Sequence, residues 1–133
     1  MKAITILEPW ATLIVEGKKT IETRNWDTDY RGKILIHSSK TLMRSSDYYS
    51  YVSCFVDSKE FHRGCIIGEV ELYDIVPVTK ELVEAVSKTN YINLITSEFS
   101  TCQYAWLLRN AKIYDKPIPI KGSLGLWEAN INL

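Results

Sequence analysis

A basic excess is missing from this chain: 16 Lys and Arg stand against 16 Asp and Glu, a formal net charge of zero. Proteins that grip duplex nucleic acid through many phosphates draw most of their nonspecific affinity from such an excess. Any nucleic-acid role here therefore rests on a local basic site or on a pocket for a base, and a small ligand fits equally well. Cysteine is scarce too. Cys54, Cys65 and Cys102 are odd in number, far apart and in no Cys-x-x-Cys pair, which argues against a disulfide framework and fits a reducing compartment. With His37 and His62 they form no zinc-ligand spacing, so neither a structural metal nor a cofactor is expected. Apolar runs such as Leu13 to Val15 and Ile34 to Ile36 break within a few residues, short of the roughly 20 that cross a bilayer. Glu8-Pro9 ends the apolar start before a signal-peptide core could form, so no membrane association and a cytoplasmic location are expected.

What is there suffices for one domain over residues 1–133, since 46% hydrophobic content can bury a contiguous core. Residues 1–7 alternate with abundant β-branching and read as a strand. Pro9 suits a first helical turn, and Trp10, Leu13 and Ile14 carry a short helix to Glu16, stopped by Gly17. Thr20 to Trp26 reads as a strand with Glu22, Arg24 and Trp26 on one face. After a turn from Asp27 to Gly32, Lys33 to His37 has the all-apolar centre of an inner strand, ending in polar Ser38-Ser39-Lys40. Between Thr41 and Arg63, Tyr48, Tyr49, Val52, Phe55 and Val56 suggest an amphipathic helix over the sheet. Gly64 to Tyr73 resumes strand character, with Gly68 marking a bulge or close approach and with Glu69 and Glu71 on a shared face. Thr79 is placed to cap a helix reaching Ser87. Tyr104 to Leu108 forms another strand, and Pro117 to Gly122 leads into a last extended piece, Leu124 to Glu128. About five or six strands with short helices between them, and no regular strand-helix alternation, predict an α+β fold built on a mixed β-barrel.

Several of these residues together resemble a known family. Glu8-Pro9-Trp10-Ala11, Leu13-Ile14 and Gly17-Lys18-Lys19-Thr20-Ile21-Glu22-Thr23-Arg24 are similar to the ASCH signature, whose core motif G-x-K-x-x-E-x-R is met by Gly17, Lys19, Glu22 and Arg24. Glu8 stands where Gln is commoner. Tyr30-Arg31-Gly32, Ile36-His37, Gly64 to Leu72, Tyr104-Ala105-Trp106 and Pro117 to Trp127 extend the likeness. The resemblance implies a PUA-like barrel with a cleft lined by the motif segment, and single-stranded RNA or a modified nucleoside as partner. Family members are regarded variously as RNA-binding modules, as ribonucleases and, in one branch, as amidohydrolases that deacylate acetylated cytidine. The catalytic lysine of that branch corresponds to Lys19, and a threonine occupies the position of Glu22 there.

Lys19 reads in two ways. Partly desolvated beside Lys18 and Arg24 it would be a nucleophile or base; otherwise it is a solvated lysine after a helix end. Glu22 and Arg24 are either a surface ion pair or a proton acceptor and an anion-binding fork. Trp26 is the first stacking candidate, with Tyr30 and Tyr104 behind it, against a plain core role for each; Trp10 and Trp127 are assigned to packing. Glu69 would be a second carboxylate at the cleft if its strand neighboured the lysine segment. His37 could be a base or a backbone-satisfied buried histidine, and Ser38 and Lys40 beside it could hold a phosphate. Three functions follow: a module that accepts an unpaired or modified base, a hydrolase using Lys19 and Glu22, or a protein-interaction domain using Tyr48, Tyr49 and Tyr51. The sequence specifies no oligomeric state.

Overall fold

The computed structural model describes residues 1–42, 46–58 and 60–133. Its first strand, β1 (Lys2–Glu8), turns Ile4 and Ile6 into the main core while Ala3 faces the opposite side. Pro9 then opens α1 (Trp10–Val15), which ends as the chain turns through Gly17 at φ +78°. A side chain in place of hydrogen at Gly17 would be strained, so the glycine stop is a backbone requirement. Next come β2 (Ile21–Arg24), β3 (Gly32–Leu42), α2 (Ser46–Ser53), β4 (Cys65–Pro77), α3 (Lys80–Thr89), α4 (Tyr91–Thr96), β5 (Tyr104–Pro119) and β6 (Leu126–Glu128).

The strands form one six-stranded sheet in the order β2-β5-β4-β3-β1-β6. Only the β1–β3 pair is parallel; the other four are antiparallel. The mixed sheet curls into a half-barrel with short helices around it, a PUA-like α+β architecture. Its interior holds Ile4, Ile6, Ile34, Ile36, Val70, Leu72, Trp106 and Leu108 against Ala11, Ile14 and Val15 of α1. Burying each such aliphatic side chain contributes about 1.5–3 kcal/mol, enough to fix which face of each strand turns inward.

Several elements differ from their sequence patterns. β3 does not stop at His37 but runs through the polar residues to Leu42. The expected strand Tyr104 to Leu108 is only the start of β5, which runs on to Pro119 and takes in part of the Pro117 stretch read as the lead into the last extended piece. The polar residues between them hide a bulge: Glu69 pairs with Lys112 but Glu71 with Arg109, and Asn110 takes the extra residue at φ +55°. α2 is shorter than its apolar pattern, because Phe55 and Val56 lie beyond its end, and residues 43–45 and 59 of that expected segment lie outside the described residues. Finally, α4 occupies a stretch read only as polar connection.

Two expected local features are present. Thr79 caps α3 by accepting from Leu82 N at 3.1 Å. Gly68 sits where a β-carbon would come within 2.3 Å of Lys112 O and 2.8 Å of Val15 Cγ1, and the sheet register shifts on both sides of it.

Candidate functional site

The motif segment leaves α1 with its backbone tied back to the helix: the amides of Lys18 and Lys19 both donate to Leu13 O at 3.0 Å. This turn drives the Lys19 side chain inward, not into solvent, and it is only 1% exposed. Its Nζ donates to Thr96 Oγ1 at 3.1 Å, Thr96 O at 3.2 Å and Ser97 Oγ at 3.4 Å. Burial is the main reason its pKa falls to about 8; nearby Glu22 and Glu98 oppose that fall and Arg24 adds to it. Lys18 plays no part in this cationic neighbourhood. Its ammonium is committed to Glu16 at 3.3 Å, Asp57 at 2.9 Å and Phe55 O at 2.5 Å.

Glu22, Arg24 and Trp26 line one cleft of about 420 Å³, together with Thr23 and Asn25 between them and with Trp10, Thr96 and Glu98. Gly17 and Lys19 are not part of its wall. Lys19 stands behind Thr96, which is itself cleft-lining. Glu22 and Arg24 are paired but not as a surface pair: Glu22 is 8% exposed, and its Oε2 accepts from Arg24 Nη2 at 2.8 Å and Nε at 3.2 Å. Arg24 Nη2 also donates to Thr5 O at 3.3 Å. These contacts leave Arg24 Nη1 and Glu22 Oε1 without hydrogen-bond partners among the described residues, one cation edge and one acceptor at the cleft.

Trp26 is half-buried, packed edge-on to Trp106 with centroids 4.8 Å apart, and its carbonyl accepts from Trp106 Nε1 at 3.3 Å. Trp10, read as packing, lines the same cleft. Its Nε1 is buried without a hydrogen-bond partner among the described residues, and the phenol proton of Tyr48 goes to Ile95 O.

Other expected site residues lie elsewhere. Glu69 fails its condition because β5 stands between β4 and β2; it accepts from Tyr114 Oη at 2.7 Å and pairs with Lys33 at 3.3 Å. Tyr30 donates to Lys33 O at 2.5 Å and packs on the core, and Tyr104 packs there too, opposite Arg24 in the sheet. Ser38 is fully buried, and its hydroxyl donates to Glu8 Oε2 at 2.7 Å, so it holds a carboxylate in place of a phosphate. That carboxylate, also fully buried, takes Thr12 N at 2.8 Å and Thr12 Oγ1 at 2.9 Å; burial raises its pKa despite the three donors.

His37 is spoken for on both ring nitrogens. Trp127 Nε1 can only donate, and it meets Thr5 Oγ1 at 3.2 Å; Thr5 Oγ1 meets His37 Nδ1 at 3.2 Å; His37 Nε2 meets Ile120 O at 2.7 Å. The indole at one end and the carbonyl at the other set the direction of the whole chain, with the ring proton on Nε2. Of the three tyrosines of α2, Tyr48 turns inward to Ile95, Tyr49 packs edge-on to Phe61, and Tyr51 is 47% exposed with its hydroxyl on that of Tyr91.

Sequence reasoning missed Thr96, Ser97 and Glu98. The available signal was Asn90, which caps α4 by accepting from Asn93 N at 2.9 Å, ahead of apolar Ile92 and Ile95. No group of three or more His, Cys, Asp and Glu side chains that could hold a metal occurs among the described residues. Nor is any helix among them long and apolar enough to cross a membrane.

Comparison with known proteins places this architecture. Activating signal cointegrator 1 of Homo sapiens and that of Mus musculus are each 24% identical to it over 140 residues, covering 94% of this chain and 22% of theirs. The chain thus spans about a fifth of the length of those relatives. The crystal structure of ASCH from Zymomonas mobilis superposes with a TM-score of 0.58 at 21% identity, covering 90% of this chain and 73% of that one. A serine-to-alanine mutant of the same Zymomonas mobilis protein does so with a TM-score of 0.57 at 22% identity, over 89% and 72%. The ASCH domain model matches residues 4–118, and the chain belongs to the ASCH domain family.

Proposed function

We infer that the cleft binds the base of an unpaired RNA position or of a modified nucleoside, and that the protein acts as a binding module. The carrying observation is the arrangement of Glu22, Arg24, Trp10 and Trp26 around one cavity of about 420 Å³, the size of a nucleoside site. Arg24, held by Glu22 and Thr5 O, offers a planar donor edge to a carbonyl or phosphate, and Glu22 offers an acceptor to an exocyclic amine. The two indoles supply stacking faces, worth about 1–3 kcal/mol per base where measured. Family and fold are consistent with such a role.

One observation favours a hydrolase instead: the pKa of Lys19, lowered to about 8, is that of an amine made easier to deprotonate. Against it, the ammonium is shut behind Thr96 and faces three oxygen acceptors, an environment built for a donor. Incubation with acetylated cytidine and with a short single-stranded RNA, followed by chromatography of products and by calorimetry, separates the two. The binding reading expects intact substrates and saturable uptake, weakened about tenfold or more by Arg24→Ala or Trp26→Ala. Deacylation or cleavage that disappears in Lys19→Ala would overturn it.

A further inference from the structure

On the other side of Thr5 lies a larger groove that the cleft does not use. Its volume is about 740 Å³, and its polar rim carries Lys40, Arg63 and Lys121 with no carboxylate among its lining residues. In a chain of zero net charge this is a local concentration of one sign. None of the three cations has an ion-pair partner among the described residues, although nine pairs of a Lys, Arg or amino-terminal cation with a carboxylate form elsewhere among them.

The cations come from three segments: Lys40 from β3, Arg63 from the turn before β4, and Lys121 from the residues after β5. Gly64 is clamped between β3 and the residue that follows β5, its N donating to Ser38 O at 2.7 Å and its O accepting from Ile120 N at 3.2 Å. The Lys40 stem lies across it, where a β-carbon would come within 2.8 Å of Lys40 Cε. Arg63 reaches back to donate from Nη1 to Lys40 O at 2.9 Å, which leaves Nη2 and Nε without partners among the described residues. Thr5, His37 and Ile120, linked by hydrogen bonds, line it beside Gly122, where a β-carbon would meet His37 Cε1 at 2.7 Å. Leu124, 97% exposed, adds an apolar edge.

We propose that this groove binds the sugar-phosphate backbone of single-stranded RNA, with Lys40, Arg63 and Lys121 neutralising its phosphates. The choice of occupant rests on the base-binding reading of the cleft: Thr5 belongs to both cavities, its carbonyl holding Arg24 on one side and its hydroxyl holding His37 on the other. A strand leaving the cleft over Thr5 enters the groove. The volume far exceeds one phosphate, and a concave channel matches a flexible strand better than a flat bilayer.

The test is anisotropy of labelled oligouridine across a series of salt concentrations, beside calorimetry of nucleoside binding. Three phosphate contacts give a log-log salt slope of about −2 for a single strand. Replacing all three cations by alanine is expected to bring that slope close to zero and weaken oligouridine at low salt at least tenfold, with nucleoside uptake unchanged. Lys121→Glu alone, at an exposed position, should weaken it in the same direction should the triple variant fold poorly. Unaltered affinity and slope in Lys121→Glu, no oligouridine binding by the parent protein, or capture of phosphatidylserine vesicles in its place would each overturn the proposal. Failure of the cleft reading has its own appearance: nucleoside uptake absent from the parent while Lys121→Glu still weakens oligouridine, which leaves the groove standing by itself.

Discussion

At the scale of single residues, two buried charges of opposite sign flank α1. Glu8 precedes it and accepts a first-turn amide, that of Thr12, while Lys19 follows it and donates into α4. Each charge costs desolvation energy that its hydrogen bonds offset in part. For Lys19 the pH consequence has a definite sign. Its folded pKa, about 8, lies below the ordinary lysine value of 10.5, so between those values the unfolded chain binds more protons and stability rises with pH. Below pH 8 the full cost is present. Lys19→Met removes the titration, so the stability of the parent relative to the variant should climb by about 3 kcal/mol from neutral pH to above the unfolded pKa. Urea unfolding of both proteins at neutral and alkaline pH measures it, and a constant difference would count against a buried, depressed lysine. Arg24 and Glu22 were legible as a facing pair because strand alternation is a local property. Their burial was not, because it depends on what covers the strand.

At the scale of elements, α4 is what the sequence pattern failed to announce. It has six residues, fewer than the roughly 12–15 at which an isolated helix becomes marginally stable, so tertiary contacts hold it. Asn93, 3% exposed, is the central contact: its Oδ1 accepts from Thr20 N at 2.8 Å and Ile21 N at 3.2 Å, and its Nδ2 donates to Thr20 Oγ1 at 2.7 Å. Asn93 thereby ties α4 to the start of β2 and keeps Thr96 over Lys19. Asn93→Ala leaves two backbone donors without a partner, and chemical denaturation should register a loss of about 2–3 kcal/mol. Ligand uptake at the cleft should weaken with it, since Thr96 and Glu98 line the wall. β5 escaped detection as one strand for a related reason. A bulge at Asn110 changes the register without ending the strand, and in the sequence it looks like a polar loop.

At the scale of the whole molecule, balanced charge constrains binding more than any single residue does. With 16 charges of each sign there is no net basic excess, and among the described residues three cations gather at the rim of the groove. Duplex DNA of arbitrary sequence should therefore be held no more tightly than about 10⁻⁴ M at physiological salt, the weak end of nonspecific binding. Anisotropy with a labelled duplex checks this beside the single-stranded probe; micromolar duplex binding would mean that the groove reads helical backbone and not a single strand. The sheet order explains why the site residues divide as they do. In the sheet β2 pairs only with β5, so β4 and its Glu69 lie beyond that strand, and the cleft beside β2 is lined by residues of β1 and α4.

The sequence by itself determined the fold class, the family and the cleft face of β2, because strand alternation, glycine stops and a closely spaced motif are written within a few residues of one another. Tertiary structure alone decided which of those residues reach a cavity. Thr96 meets Lys19 across 77 residues, Ile120 meets His37 across 83, and three cations from separate segments share one groove. Strand order, register and burial arise from pairings between distant parts of the chain, and local periodicity says which side of a strand is apolar but not what will lie against it.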